Sequence, residues 1–397
     1  MQVWLPFPIF NGGIPDSLSS VFPSVKNIAL LVPGGIGTGD SEESIPAVRS
    51  FAEKMAQCVR LTIFSLHPAG SSRPVLHGAT VVPIPVAHDE SSASKVMSLV
   101  NAVLQHRSDG PFDVVHGLWA LPCGLAAVVA AQLRGIRSVV SLQGGETADL
   151  PVLSYGNMRS TILRQVTLTV CRLASSVTTL SDHQRGELRS RGVRRPDIVA
   201  IPYGVPSDQF HPSKKEIAEG PLHLLCVGNI NPLKHHETAI RSLARIRQER
   251  DAMLRIVGEN QRNAEIVDLA RGLGVADNLE LTGRIPHCQL PTHYDWAHML
   301  IHPSLHEAQG VVVAEATASG VVPIGTPVGL IADFEPDKAA TFPFCDHEAL
   351  ADRVLALAGD PGRYSAIRDA GLRWSEDHSI DWTVDQFIRI YDRPASH

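Results

Sequence analysis

The strongest constraint on this chain is an alternation that starts, stops and starts again. From about residue 27, short apolar or β-branched runs ("NIALLVP", "VRLTIFSL", "TVVPIP", "FDVVHG", "RSVVSL", "SVTTL", "DIVAIP") are separated by longer stretches of helical period. Continuous apolar runs of strand length are buried on both faces, so the pattern predicts βα units around a parallel sheet covered by helices. A polar stretch rich in Pro and Gly, "YGVPSDQFHPSKKEIAEG", interrupts it near residues 203–220, and "LHLLCVG", "MLRIVG", "NLEL", "HMLIHP" and "VVPIGT" then resume it.

At 397 residues the chain exceeds what one core usually organises. The restart therefore predicts an α/β protein of two facing Rossmann-like domains, residues 1–205 and 206–376. A terminal helix within 377–397, "IDWTVDQFIRIYD", has no strand after it and must dock back on the first domain. Residues 1–24 fit no βα pattern.

Charge and cysteine usage exclude several classes. A net charge of −6 and a pI near 6.3 give no support for a nucleic-acid binder, whose affinity comes largely from neutralising phosphates. The six cysteines form no CxxC pair, which suits a reducing compartment and not a zinc cage or disulfide framework. "HPSLH" places Pro303 between His302 and His306, and no HExxH occurs, so no metal site is expected. No run is apolar enough to span a bilayer, and "MQVWLPFPIFNGG" lacks the basic leader and cleavage site of a secretion signal, so a cytoplasmic location is expected. Two segments leave a peripheral membrane contact open. "RGELRSRGVRR" reads as a solvated helix face, against contact with anionic lipid or acceptor. "MRSTILRQVTLTVCRL", with Ile162, Val166, Thr169 and Leu173 on one stripe, reads as a core helix, against membrane-surface docking.

Strand ends in both halves carry small or polar residues: Gly34 and Gly35, His116, Gln143, Gly228, Gly258, His302. In open parallel sheets ligands bind beyond the carboxyl ends of the strands, where backbone and helix N-termini come close. His116 enters the candidate list on this ground. "HEAQGVVVAEA" sharpens the argument. Gly310 can open a buried helix over "VVVAEATAS", with Glu307 in the loop before it and Glu315 inside it. The N–H groups around residues 309–312 would then form an anion site, with one carboxylate placed for a ribose and one for a second polyol beyond the phosphates. The plainer alternative is a helix-capping Glu307 and a solvated Glu315. "GGIGTGD" resembles a dinucleotide loop only partly, since Asp40 stands where a third glycine belongs, and a dehydrogenase is not expected.

Residues 222–329, from "LHLLCVGNINPLKHHETAIRSL" through "LTGRIPH" to "HPSLHEAQGVVVAEATASGVVPIGTPVG", resemble the donor half of the retaining GT-B glycosyltransferases of family 4, including a Glu-x7-Glu motif as Glu307 and Glu315. The first half resembles that family's acceptor half more loosely, through "PGGIGTGD", "FDVVHGLW", "SVVSLQGGET" and "IVAIPYGVPSDQF". The resemblance implies a hexose transferred with retention from a nucleoside-diphosphate sugar, UDP- or GDP-linked, to the hydroxyl of a glycan, glycolipid or small molecule, with no permanently bound cofactor or metal. Glu315 would hold the ribose, Glu307 would face the sugar, Lys234 would neutralise the leaving diphosphate beside the N–H groups of Gln309, Gly310 and Val311, and the Gly34–Gly35 loop would close over the centre. Three positions depart from the family pattern: Asn229 where Arg is frequent, His235 where Gly is common, and Gln143 where a His is usual. Arg284 or His235 is the candidate for the missing charge. The departures also keep open a non-catalytic nucleotide-sugar-binding subunit, whereas an epimerase or phosphorylase would need an acid–base carboxylate pair not evident here.

Overall fold

The computed structural model describes residues 26–37, 45–68, 75–87, 89–107, 110–213, 217, 220–259 and 263–393. Residues 1–24 and Asp40 lie outside this set.

Two parallel sheets account for the alternation. The first holds β1 (Asn27–Val32), β2 (Arg60–Pro68), β3 (Thr80–Val86), β4 (Val114–Leu118), β5 (Arg137–Ser141), β6 (Ser176–Thr179) and β7 (Val199–Ala200) in the order β3-β2-β1-β4-β5-β6-β7. The second holds β8 (Leu222–Val227), β9 (Ala252–Val257), β10 (Leu279–Gly283), β11 (Met299–His302), β12 (Val322–Gly325) and β13 (Ala340–Thr341) in the order β10-β9-β8-β11-β12-β13. Position for position the second repeats the first six strands of the first. Each therefore has a switch point where the winding reverses, between β1 and β4 and between β8 and β11. The twelve strand-like runs read from the sequence all appear. β13, two residues long, gave no signal.

Helices α1 (Pro46–Met55), α2 (Ser92–Gln105), α3 (Leu125–Arg134), α4 (Thr161–Leu173) and α5 (Asp182–Ser190) accompany the first sheet. The second has α6 (His236–Ile246), α7 (Asn263–Gly272), α8 (Leu290–Trp296), α9 (Val311–Ala318), α10 (Gly329–Phe334), α11 (His347–Gly359) and α12 (Pro361–Asp377). The last helix, α13 (Ile380–Tyr391), packs against α1, and its Ile380, Val384, Phe387, Ile390 and Tyr391 join the core formed by β1, β2 and α1.

The chain crosses between the sheets twice, and the crossings touch. Thr383 Oγ1 donates to Pro202 O (2.8 Å) and accepts from Gly204 N (2.9 Å). A side chain at Gly204 would meet His378 O at 2.2 Å, so only glycine allows this approach.

α4 departs from the sequence expectation. Its buried face is Thr167, Leu168, Val170 and Cys171, whereas Ile162 is 76% exposed, Leu173 54% exposed and Thr169 exposed. At 3.6 residues per turn the 162–166–169–173 stripe lies nearly opposite that face. The helix carries two apolar stripes; of the one singled out from the sequence, Ile162, Thr169 and Leu173 face solvent and Val166 packs partly against the core.

Candidate active site

α9 begins with Val311, Val312 and Val313, a β-branched triplet that favours strand. Gly310, at φ 76°, turns the chain out of the loop into the helix, and Gly320, at φ 71°, ends it. Val313 to Ala318 are all buried, so packing overrides propensity. Glu315, the fifth helical residue, is 4% exposed. Its carboxylate is already engaged: His287 Nε2 lies 2.7 Å from Oε1, and the Tyr294 hydroxyl donates to Oε2 at 2.8 Å. The other His287 nitrogen, Nδ1, lies 3.3 Å from Gln209 Nε2, so with Gln209 donating there, Nε2 carries the proton given to Glu315.

Glu307 sits in the loop before α9, as expected. Lys234 Nζ donates to its Oε1 at 2.5 Å, and His302 Nε2 stands 3.3 Å from the same oxygen. Burial alone would raise the Glu307 carboxyl, but the Lys234 ammonium and the His302 ring outweigh it and hold the group well below the usual carboxylate range. Lys234 follows β8 and Glu307 follows β11, so the pair spans the second switch point.

The first domain holds this loop. Ser181 Oγ donates to Ala308 O (2.6 Å), the Gln309 side chain accepts from Tyr203 N (2.9 Å) and donates to Tyr203 O (2.8 Å), and His306 Nε2 lies 3.5 Å from Glu187. Gln309, placed at the diphosphate on the strength of its N–H, thus spends its side chain on the interdomain contact. From α10, Asp333 accepts the N–H groups of Asp182 (2.7 Å) and His183 (2.8 Å), capping α5 across the same boundary.

A cleft of about 570 Å³ adjoins these groups, within the size range of small-molecule sites. Arg49 and Glu53 of α1 line it from the first domain; Gly228, Asn229, Gly258, Arg284 and His287 line it from the second. A Cβ on Gly228 would stand 3.3 Å from Lys234 Cε, and His287 bonds Glu315, so the two glutamates flank this cleft through their partners. Gly34 and Gly35 line a separate 200 Å³ hollow beside Ser65–Pro68. Among the described residues no group of His, Cys, Asp and Glu is arranged to hold a metal ion.

Several sequence expectations change here. His116 does not face a ligand. It is fully buried, Nδ1 meets the Tyr391 hydroxyl at 2.7 Å and Nε2 meets Ser141 Oγ at 2.7 Å, and burial pushes its pKa down to about 3. Its position in the middle of β4 and not at the strand end explains this, and it pins α13 to the first sheet. His235 stands at φ 47°, a conformation that favours glycine, which gives a backbone reason for the family's residue there. Its Nδ1 meets Thr238 Oγ1 at 2.8 Å and its Nε2 meets Cys345 Sγ at 3.6 Å, while Arg284 lines the cleft. Of the two candidates for the missing charge, Arg284 has the better position. Asn229 Oδ1 accepts from Glu259 N (3.1 Å), tying the ends of β8 and β9 together.

Other residues escaped sequence reasoning. Gln143 N and Gly144 N donate to the buried Glu146, which also accepts from Ala120 N. Burial pushes Glu146 up in spite of these bonds. Tyr155, pushed up to about 12 by burial and by the charges of Glu307 and Glu146, packs on Gly145. His287 and Tyr294 lie 28 and 21 positions from the Glu315 they hold, and no local pattern marks them.

Comparison with known proteins bears on this arrangement. The profile described as "Glycosyl transferase 4-like domain" matches residues 45–204, and that described as "Glycosyl transferases group 1" matches residues 207–374. The chain belongs to the group 1 glycosyltransferases, with the GT-B fold. It is 25% identical, over 91% of its length and 93% of the relative's, to a D-inositol 3-phosphate glycosyltransferase of Pseudarthrobacter chlorophenolicus. It is 28% identical, over 65% of its length and 70% of the relative's, to a GDP-mannose-dependent alpha-(1-6)-phosphatidylinositol monomannoside mannosyltransferase of Mycolicibacterium smegmatis. Among solved structures it matches sucrose-phosphate synthase of Thermosynechococcus elongatus with a TM-score of 0.77 at 18% identity, covering 92% of this chain and 98% of that one. It matches HepE of Anabaena, in complex with UDP and glucose, with a TM-score of 0.72 at 13% identity, covering 92% and 99%.

Proposed function

We propose that the protein transfers a hexose from a nucleoside-diphosphate sugar to a hydroxyl acceptor with retention and without a metal ion. The Lys234–Glu307 pair at the second switch point carries this reading: a half-buried cation and a carboxylate held at 2.5 Å beside a cleft, where the leaving diphosphate and the sugar would meet. Lys234 and the N–H groups at the start of α9 would take the charge of the leaving group, as a divalent cation does elsewhere. Glu307 would accept from sugar hydroxyls and Glu315 from the ribose. With retention, the acceptor oxygen bonds to the anomeric carbon on the side from which the phosphate departs, and the acceptor's proton goes to the departing phosphate oxygen. The UDP and GDP named for the relatives make these the first donors to try. A second reading, a nucleotide-sugar-binding subunit without turnover, is favoured by Asn229 and Gln143.

Thermal unfolding with UDP, GDP, ADP and dTDP tests this on the wild type and on Glu315→Ala. Ligand at about 100 times its dissociation constant adds about 2.7 kcal/mol. Stabilisation by one nucleotide, absent from the variant, supports the donor site. No stabilisation by any nucleotide overturns it. Binding without turnover on any sugar donor moves the second reading ahead.

A further inference from the structure

We infer that the outward face built by the 150–155 hairpin, α4 and the 191–195 turn is a docking surface for an anionic lipid bilayer. Residues 150–195 hold eight arginines against two acidic residues in a chain whose net charge is −6. The hairpin is closed by paired bonds between Leu150 and Tyr155 (3.0 and 3.1 Å), and Val152 at its tip is 96% exposed. Along α4, Ile162 (76%) and Leu173 (54%) form the outward stripe, and the helix contains no acidic residue. The turn after α5 joins the two. Arg172 reaches Gly192 O at 3.5 Å, Arg195 donates to Cys171 O and Ser175 O at the end of α4, and Arg191 lies 3.8 Å from Asp149 at the base of the hairpin. Arg159, Arg172, Arg189, Arg191 and Arg194 are all exposed.

Asp182, Asp149 and Asp197 pair with Arg185, Arg191 and Arg195, which leaves arginine in excess; exposed aliphatic side chains among this excess of positive charge fit a surface that offers both hydrocarbon and phosphate. A bilayer interface with acidic headgroups does so. A nucleic acid would use the arginines but leave Val152, Ile162 and Leu173 in water. Tyr155, at the foot of the hairpin, packs on Gly145, and its ring lies 5.9 Å from that of His306 in the loop that carries Glu307, so docking this face would bring that loop towards the lipid surface. Resting on the proposed sugar transfer, this points to an acceptor hydroxyl carried by a membrane lipid.

Co-sedimentation tests the surface with vesicles of phosphatidylcholine alone and of phosphatidylcholine mixed with phosphatidylglycerol, at low and high salt. The wild type is expected to bind the anionic vesicles at least about tenfold better than the neutral ones, and to weaken with salt. The double variant Ile162→Asp, Leu173→Asp and the triple variant Arg172→Glu, Arg191→Glu, Arg194→Glu should each lose about tenfold in vesicle binding. Both should keep the wild-type unfolding midpoint and any stabilisation by nucleotide. Equal affinity for the two vesicle types, or binding unchanged in both variants, overturns the inference. So does a wild-type dimer that the α4 variant converts to monomer, because a second copy would then cover the face. Vesicle binding that persists while no nucleotide stabilises the protein leaves the surface standing and sinks the donor reading alone.

Discussion

The two sheets share a winding order, and each has a histidine on its fourth strand next to the switch point, yet the two histidines do opposite work. His116 lies in the middle of β4, beside Leu30 of β1 and Val139 of β5, and is spent on Ser141 and Tyr391. His302 is the last residue of β11 and stands by Glu307 with Lys234 opposite. Two residues' displacement along equivalent strands separates a side chain held under a docked helix from a buried one that reaches the Glu307 carboxylate. The carboxyl end of a parallel strand faces open space, and its interior never does. In the first domain, α13 covers what the cleft leaves open in the second.

Variants can break this contrast. The largest effect is expected from Lys234→Ala, which strands the Glu307 carboxylate and removes the cation from the proposed diphosphate position; turnover should fall by about 10²- to 10³-fold. Steady-state kinetics checks this, and a loss under tenfold would mean that another cation does the work. His116→Ala should destabilise by about 3 kcal/mol, combining a cavity with the unpartnered Tyr391 hydroxyl, since Ser141 keeps Thr178, while KM for the donor stays within twofold. A large change in KM with little loss of stability would return His116 to the site.

Acid titration sharpens the same comparison. His116 and His236 are both pushed down to about 3 from an ordinary 6.5 by burial, first of all. The unfolded chain therefore takes up these protons before the native one does. Their contribution is complete above pH 6.5 and is lost as the pH falls from there towards 3, at about 1.4 kcal/mol per pH unit for each ring. Urea unfolding between pH 7 and 5 should show this slope, and His116→Gln should reduce it by about one proton; an unchanged slope contradicts the burial argument. His287→Ala should weaken nucleotide binding by about tenfold, because one neutral–charged hydrogen bond orienting Glu315 is lost. Calorimetric titration that gives equal affinities would leave His287 without a role. The smallest effect is expected from Asn229→Arg, which adds a cation at the cleft and gives up the bond to Glu259 N: turnover should rise severalfold, whereas a fall would show that the tie between β8 and β9 matters more.

Fold and site were legible in the sequence to different depths. Periodicity is local, and twelve strands with their two-sheet grouping follow from it, because a strand buried on both faces must be apolar throughout. Glu307, Gly310 and Glu315 were legible for the same reason: one loop and one helix carry all three. The partners were not. His287 bonds Glu315 across 28 positions, Lys234 meets Glu307 across 73, and Gln309 grips Tyr203 across 106. α4 shows the limit most plainly, since two apolar stripes on one helix are equivalent until a sheet chooses between them.

The chain by itself thus determined the parallel sheets, the point where the alternation restarts, and the carboxylates before and within α9, because each is set by spacing within a single element or loop. Only the tertiary structure decided which histidine is spent on a docked helix and which on Glu307, which face of α4 meets water, and what holds each glutamate in place. Those outcomes depend on which distant surfaces close over one another, and burial and pairing between remote segments have no local spacing to announce them.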